Sequence, residues 1–191
     1  MFWAAEFNNI RLFSMANGLS TVTVQRHTID IEGGPAHLRP PMQMVHGTAV
    51  RLGRAGLLLR GPSGSGKSDL ALRLIESGAA LIADDQVALA HDGAEIWLSA
   101  PPSIAGMIEV RGLGILRLPR APRAALRLVC DLVTRAAVER LPERGTCDFF
   151  GVAVPQVALC GFDASTPAKL RFALRAVAGD DITAEPLSVQ P

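Results

Sequence analysis

The chain has 191 residues, 49% of them apolar and 19% charged, with a net charge of +1. That composition supports a packed core and excludes a disordered chain. The small net charge gives no electrostatic basis for binding nucleic acid or an anionic membrane surface, and no apolar run is long enough to cross a bilayer.

Residues 1–41 show no sustained periodicity and finish in Gly33-Gly34-Pro35 and Pro40-Pro41, so they read as a poorly ordered leader. Met1 to Ala5 is apolar but has no basic region before it and is soon followed by Glu6 and Asn8, which excludes a secretory signal. Regular patterning begins at Met42. Val45 to Leu52 reads as one strand, joined through Gly53-Arg54-Ala55-Gly56 to a second, Leu57 to Leu59, as a hairpin. The loop Gly61-Pro62-Ser63-Gly64-Ser65-Gly66-Lys67-Ser68 follows and opens a helix that carries Leu70, Ala71, Leu72, Leu74 and Ile75 and ends near Ser77, with Gly78 as its C′ cap. Ala80 to Ala83 is the next strand and leads into Asp84 and Asp85.

Gln86 to Ala90 and Glu95 to Leu98 flank His91-Asp92-Gly93, a second hairpin, in which His91 reads as a solvated turn residue. Pro101-Pro102 breaks the pattern and predicts one helical turn near Ile104–Met107. In Ile108 to Arg117, Gly112 and Gly114 interrupt an apolar run, which implies either an edge strand with a bulge or a close backbone approach. Leu126 to Val133 reads as a strand with a polar exit from Arg135 to Arg140. Phe149 to Leu159 reads as one strand interrupted at Pro155 near a sheet edge. Thr166-Pro167 starts a last helix bearing Leu170, Ala173, Leu174 and Val177, ended by Gly179 before a frayed tail, 179–191. The domain therefore spans 42–178. Cys130, Cys147 and Cys160, odd in number and without C-x-x-C spacing, read as buried reduced thiols of a cytoplasmic protein.

The loop at 61–68 fits G-x-x-x-x-G-K-[ST], placed between strand and helix as a phosphate loop requires. Its glycines let backbone N–H groups approach phosphate oxygens, and the helix start adds free N–H groups and a partial positive charge. Lys67 can reach the β- and γ-phosphates, and Ser68 can ligate Mg²⁺. Asp84 and Asp85 are adjacent. While the run stays extended, only one of them can aim at the phosphates. The same alternation puts Glu109 and Arg111 on one face.

The order of motifs is more specific than the loop. Val45-His46-Gly47 precedes it, Ala83-Asp84-Asp85 follows, and Glu109-Val110-Arg111-Gly112-Leu113-Gly114-Ile115 comes next. This resembles the catalytic C-terminal domain of the bacterial HPr kinase/phosphorylase family, from about Met42 to Val177. The N-terminal regulatory domain of that family has no counterpart here, so the resemblance is to a truncated form. It implies an α/β P-loop domain with a mixed β-sheet, related to phosphoenolpyruvate carboxykinase, and phosphorylation by ATP of a serine on the phosphocarrier HPr. It also implies phosphate-dependent removal of that group with release of pyrophosphate, and a homo-oligomer, a hexamer.

By the same resemblance Asp85 is the catalytic acid/base, His46 an active-site histidine, Glu109 a Mg²⁺ ligand beside Ser68, and Arg140, in Glu139-Arg140-Leu141, the active-site arginine. Two departures stand out. Gln86 replaces the arginine that usually follows the double aspartate, and Pro167-Ala168-Lys169 stands where the dephosphorylation loop reads Pro-Gly-Arg-Asn. Lysine offers a point charge without the fork of arginine, so the kinase half has the stronger support. A nucleotide-gated regulatory module with little turnover is the alternative. A small-molecule kinase or ATPase sharing only the phosphate loop is disfavoured by the segment at 109–114.

Overall fold

The computed structural model describes residues 41–178 and, before them, the backbone of a short ribbon in which Glu6–Phe7 (β1) and Ile10–Arg11 (β2) pair antiparallel. The expected leader and tail, and Gly179 as a helix end, otherwise lie outside the described residues.

The strand expected over 45–52 is two strands, Met42–His46 (β3) and Thr48–Leu52 (β4), which belong to different parts of the sheet. The break is at Gly47. A Cβ there would lie 2.7 Å from the carbonyl oxygen of Leu59, so the chain can bend against its neighbour only without a side chain. β4 forms the expected hairpin with Ala55–Arg60 (β5), closed between Leu52 and Ala55 with Gly53 at φ 58°. The helix Lys67–Glu76 (α1) follows, capped by Ser77 and a left-handed Gly78, and leads to Ala80–Ala83 (β6). Gln86–His91 (β7) and Ile96–Ser99 (β8) make the second hairpin. His91 ends β7 with its ring stacked on Phe150, rather than standing free in the turn.

The helical turn expected at 104–107 is a 3₁₀ turn at Pro102–Ile104, and Met107–Val110 (β9) is already extended. β9 turns back through residues 111–113 into Gly114–Arg117 (β10). The result is a separate two-stranded sheet rather than a bulged edge strand. Both glycines are left-handed, Gly112 at φ 89° and Gly114 at φ 91°, as the reversal requires. Arg123–Leu132 (β11) is longer than expected and central: it runs parallel to β5, and its other edge pairs first with β8 and then with a later strand.

That later strand, Val152–Leu159 (β13), pairs antiparallel with Gly145–Phe149 (β12). The chain is therefore interrupted at Phe150-Gly151, not at Pro155. Pro155 faces Thr146 of β12, and the parallel ladder to β11 starts one residue later, so its missing N–H breaks no bond to the central strand. The strand order of the main sheet is β3-β7-β8-β11-β5-β4-β6, with β13 on β11 and β12 on the far edge of β13. Thr166–Val177 (α2) completes the fold.

Leu57, Leu58 and Leu59 are all fully buried, because β5 is covered on both faces. Leu57 and Leu59 pack with Leu70 and Leu74 of α1 and Leu170 and Leu174 of α2, whereas Leu58 joins Ile82, Val87, Leu98 and Val129 on the other face. This packing fixes the carboxyl end of β5, and with it the loop leading to α1. Cys130 is buried, and desolvation pushes its thiol up to about 12. No described helix is long and apolar enough to cross a membrane.

Candidate active site

The loop between β5 and α1 turns on three left-handed glycines, Gly61 at φ 147°, Gly64 at 82° and Gly66 at 90°. Gly66 is the N-cap of α1, and no side chain caps that end. The first-turn N–H groups and the positive end of the helix dipole are thus left for an anion. Lys67 is buried and folded over the loop, its Nζ donating to the carbonyl oxygens of Gly61 at 2.9 Å and Pro62 at 3.1 Å. A cation held by the loop's own carbonyls at this helix start is placed to exchange them for phosphate oxygens.

Asp84 is buried and joins three elements. Its Oδ1 accepts from the hydroxyl of Thr48 on β4 at 2.7 Å and from that of Ser68 on α1 at 3.0 Å. Its Oδ2 accepts from Ser68 at 3.2 Å and from the backbone N–H of Glu109 on β9 at 3.1 Å. A buried carboxylate is costly without such partners. Thr48→Val keeps the shape and removes one charge-assisted donor, so it is expected to lower stability by about 1–3 kcal/mol in denaturant unfolding. Thr48→Ser should recover most of that loss.

Asp85 is at φ 68°, a left-handed conformation that aspartate tolerates better than most residues. The extended run ends there, and consequently Asp84 and Asp85 both line the cleft, which strict strand alternation forbids. Asp85 is exposed, and Nδ1 of His46 lies 3.0 Å from its carbonyl oxygen and 3.2 Å from its Oδ1. The tautomer with hydrogen on Nδ1 donates to both. Gly47 N–H donates to the same carbonyl at 3.1 Å, so the β3–β4 bend holds Asp85 in place.

His46, Lys67, Ser68, Asp84, Asp85 and Glu109 line one cleft of about 350 Å³, together with Ser63, Gly64 and Gly66 of the loop. Asp69, Leu72, Val110, Arg111 and Phe162 complete the wall. Arg140 is exposed beyond β11 and is not among the lining residues; Arg111 is the lining guanidinium. Gln86 and Lys169 do not line the cleft either. Sequence reasoning missed Thr48 and Phe162. Thr48 reaches Asp84 through the pairing of β4 with β6, and Phe162 arrives from the loop after β13. Neither contact leaves a local pattern.

Among the described residues no three His, Cys, Asp or Glu side chains close a metal cage. Ser68, Asp84 and Glu109 bring oxygen-bearing side chains to the same cleft. This suits a hard cation such as Mg²⁺, which keeps water and takes phosphate oxygens to complete its shell.

The family model of the HPr serine kinase C-terminal domain matches residues 39–160, 122 of the 191. The HPr kinase/phosphorylase of Burkholderia lata is 35% identical over 130 residues, 62% of this chain and 40% of that protein. That of Mycoplasmopsis pulmonis is 46% identical over 72 residues, 38% of this chain and 23% of that protein. The chain thus spans at most about 40% of the length of these relatives. The solved Hpr(Ser) kinase/phosphatase of Coxiella burnetii superposes with a TM-score of 0.64 at 23% identity, over 70% of this chain and 89% of that one. At that identity the likeness establishes the α/β fold.

Proposed function

Because the chain belongs to the HPr serine kinase C-terminal domain family, we propose that it transfers the γ-phosphoryl group of ATP to a serine of an HPr-like phosphocarrier protein. The observation that carries this reading is the convergence of the phosphate loop, Asp85 and Glu109 on one open cleft. The loop N–H groups and Lys67 hold the phosphates. Ser68 and Glu109, with Asp84 behind them, would hold Mg²⁺, which when bound neutralises phosphate charge.

Asp85 accepts the proton of the serine hydroxyl as its oxygen bonds to the γ-phosphorus and the bond to the bridging oxygen of ADP breaks. His46 orients Asp85, and Arg111 faces the charge on the transferred group from the hairpin. Arg140 stands outside the cleft of a single chain and takes no step in this scheme. An exposed and reachable carboxylate suits a protein substrate better than an enclosed pocket would. Leu113 and Ile115, about 70% exposed on the adjoining hairpin, offer that substrate an apolar contact.

The homo-oligomer implied by the family belongs to the same proposal, with light scattering as its check. So does the reverse step, tested by pyrophosphate release when inorganic phosphate is added to the phosphorylated carrier. The forward reaction is tested with γ-labelled ATP, Mg²⁺ and HPr. Label on the carrier supports the proposal, and label released only as free phosphate contradicts it.

A further inference from the structure

The loop after β13 is anchored on every side, yet it carries an exposed aromatic ring. The buried Thr166 hydroxyl donates to the carbonyl of Cys160 at 2.7 Å. Arg73 of α1 donates to the carbonyls of Gly161 and Asp163. Arg135 donates to the Asp163 carboxylate at 2.8 Å and holds it below the usual carboxylate range. Gly161 lies so close to the phosphate loop that a Cβ there would fall 2.5 Å from the carbonyl oxygen of Ser65.

Between these anchors the Phe162 ring lies against Gly66, 3.0 Å from where a Cβ on that glycine would be. The ring belongs to neither core cluster, is 62% exposed and lines the cleft. Exposing a large aromatic side chain forgoes its burial energy, and the anchors on both sides of Phe162 tie its loop to Arg73 of α1 and to Arg135. Leu72 of α1 is a further apolar residue of the cleft lining. A flat apolar face held against the residue that starts the phosphate-binding helix is within reach of whatever is attached to the phosphates.

We propose that Phe162 is the platform on which the base of the bound nucleotide stacks. This rests on the phosphate-site reading above and adds to it a nucleoside subsite. Stacking of a base on an aromatic side chain is strong enough to detect in a single variant. The test is calorimetric titration of the wild type, Phe162→Ala and Phe162→Trp with two ligands in Mg²⁺, ATP and inorganic tripolyphosphate. Tripolyphosphate presents the same phosphate chain with no base.

Phe162→Ala is expected to bind ATP about five- to a hundredfold more weakly and tripolyphosphate unchanged, with Phe162→Trp restoring ATP binding. An equal loss for both ligands would show that the ring only props the phosphate loop. Unchanged ATP affinity, including the case in which only the affinity for the carrier falls, would also overturn the subsite. A wild type that binds neither ligand removes the phosphate site itself and this inference with it.

Discussion

Asp85→Asn is expected to slow phosphoryl transfer to the carrier by roughly 10²–10⁴-fold, the usual contribution of a positioned general base, while ATP affinity stays unchanged. The substitution isolates the proton transfer because the backbone tolerates it. Asp85 is at φ 68°, and asparagine adopts that conformation as readily as aspartate, whereas alanine would add strain. The contacts of His46 and Gly47 to the main-chain carbonyl of residue 85 survive the change. Asparagine fills the same space but cannot take the serine proton. Initial rates with the carrier in excess, beside an ATP titration, separate the two effects. A variant that keeps the wild-type rate would show that another group is the base.

Lys67→Ala should act at the other step. In the wild type Nζ is shared between the carbonyls of Gly61 and Pro62, and in the proposed scheme nucleotide binding redirects it to phosphate oxygens. Hydrogen bonds to charged groups contribute about 1.5–3 kcal/mol, so ATP affinity is expected to fall roughly ten- to a hundredfold. Transfer falls with it, because the phosphates are no longer aligned. Lys67 sits at the first position of α1 and, among the described residues, its Nζ hydrogen-bonds only within the loop, so the fold should persist, which circular dichroism checks. Tripolyphosphate binding should fall as much as ATP binding, the opposite of the separation expected for Phe162→Ala.

What could be read from the chain and what could not divide along sequence distance. The phosphate loop was legible because its requirements are local: glycines at fixed offsets, a lysine and a hydroxyl at the helix start, and a strand before it. The β4–β5 and β7–β8 hairpins were legible for the same reason, their turns being marked by Gly53 and by Asp92-Gly93. The break at Gly47 was missed because its cause is distant, the carbonyl of Leu59 arriving where a side chain would stand. Strand alternation allowed only one of Asp84 and Asp85 in the cleft, a rule that fails where Asp85 turns left-handed. Thr48 beneath Asp84 and Phe162 beside Gly66 both depend on which strands lie side by side. The resemblance to a family supplied His46 and Glu109, which pattern alone would have left as an ordinary strand histidine and an ordinary edge carboxylate.

The function proposed for this cleft is phosphorylation of a serine on a carrier protein. Its most direct test is peptide mapping by tandem mass spectrometry of HPr incubated with the wild-type chain and Mg²⁺-ATP, beside Asp85→Asn under the same conditions. One phosphate on a single serine is expected in the wild-type reaction, with one ADP formed per phosphate, and none above background with a variant that still binds ATP. Unmodified HPr beside a wild-type protein that binds ATP would contradict it and leave a nucleotide-gated regulatory module in its place.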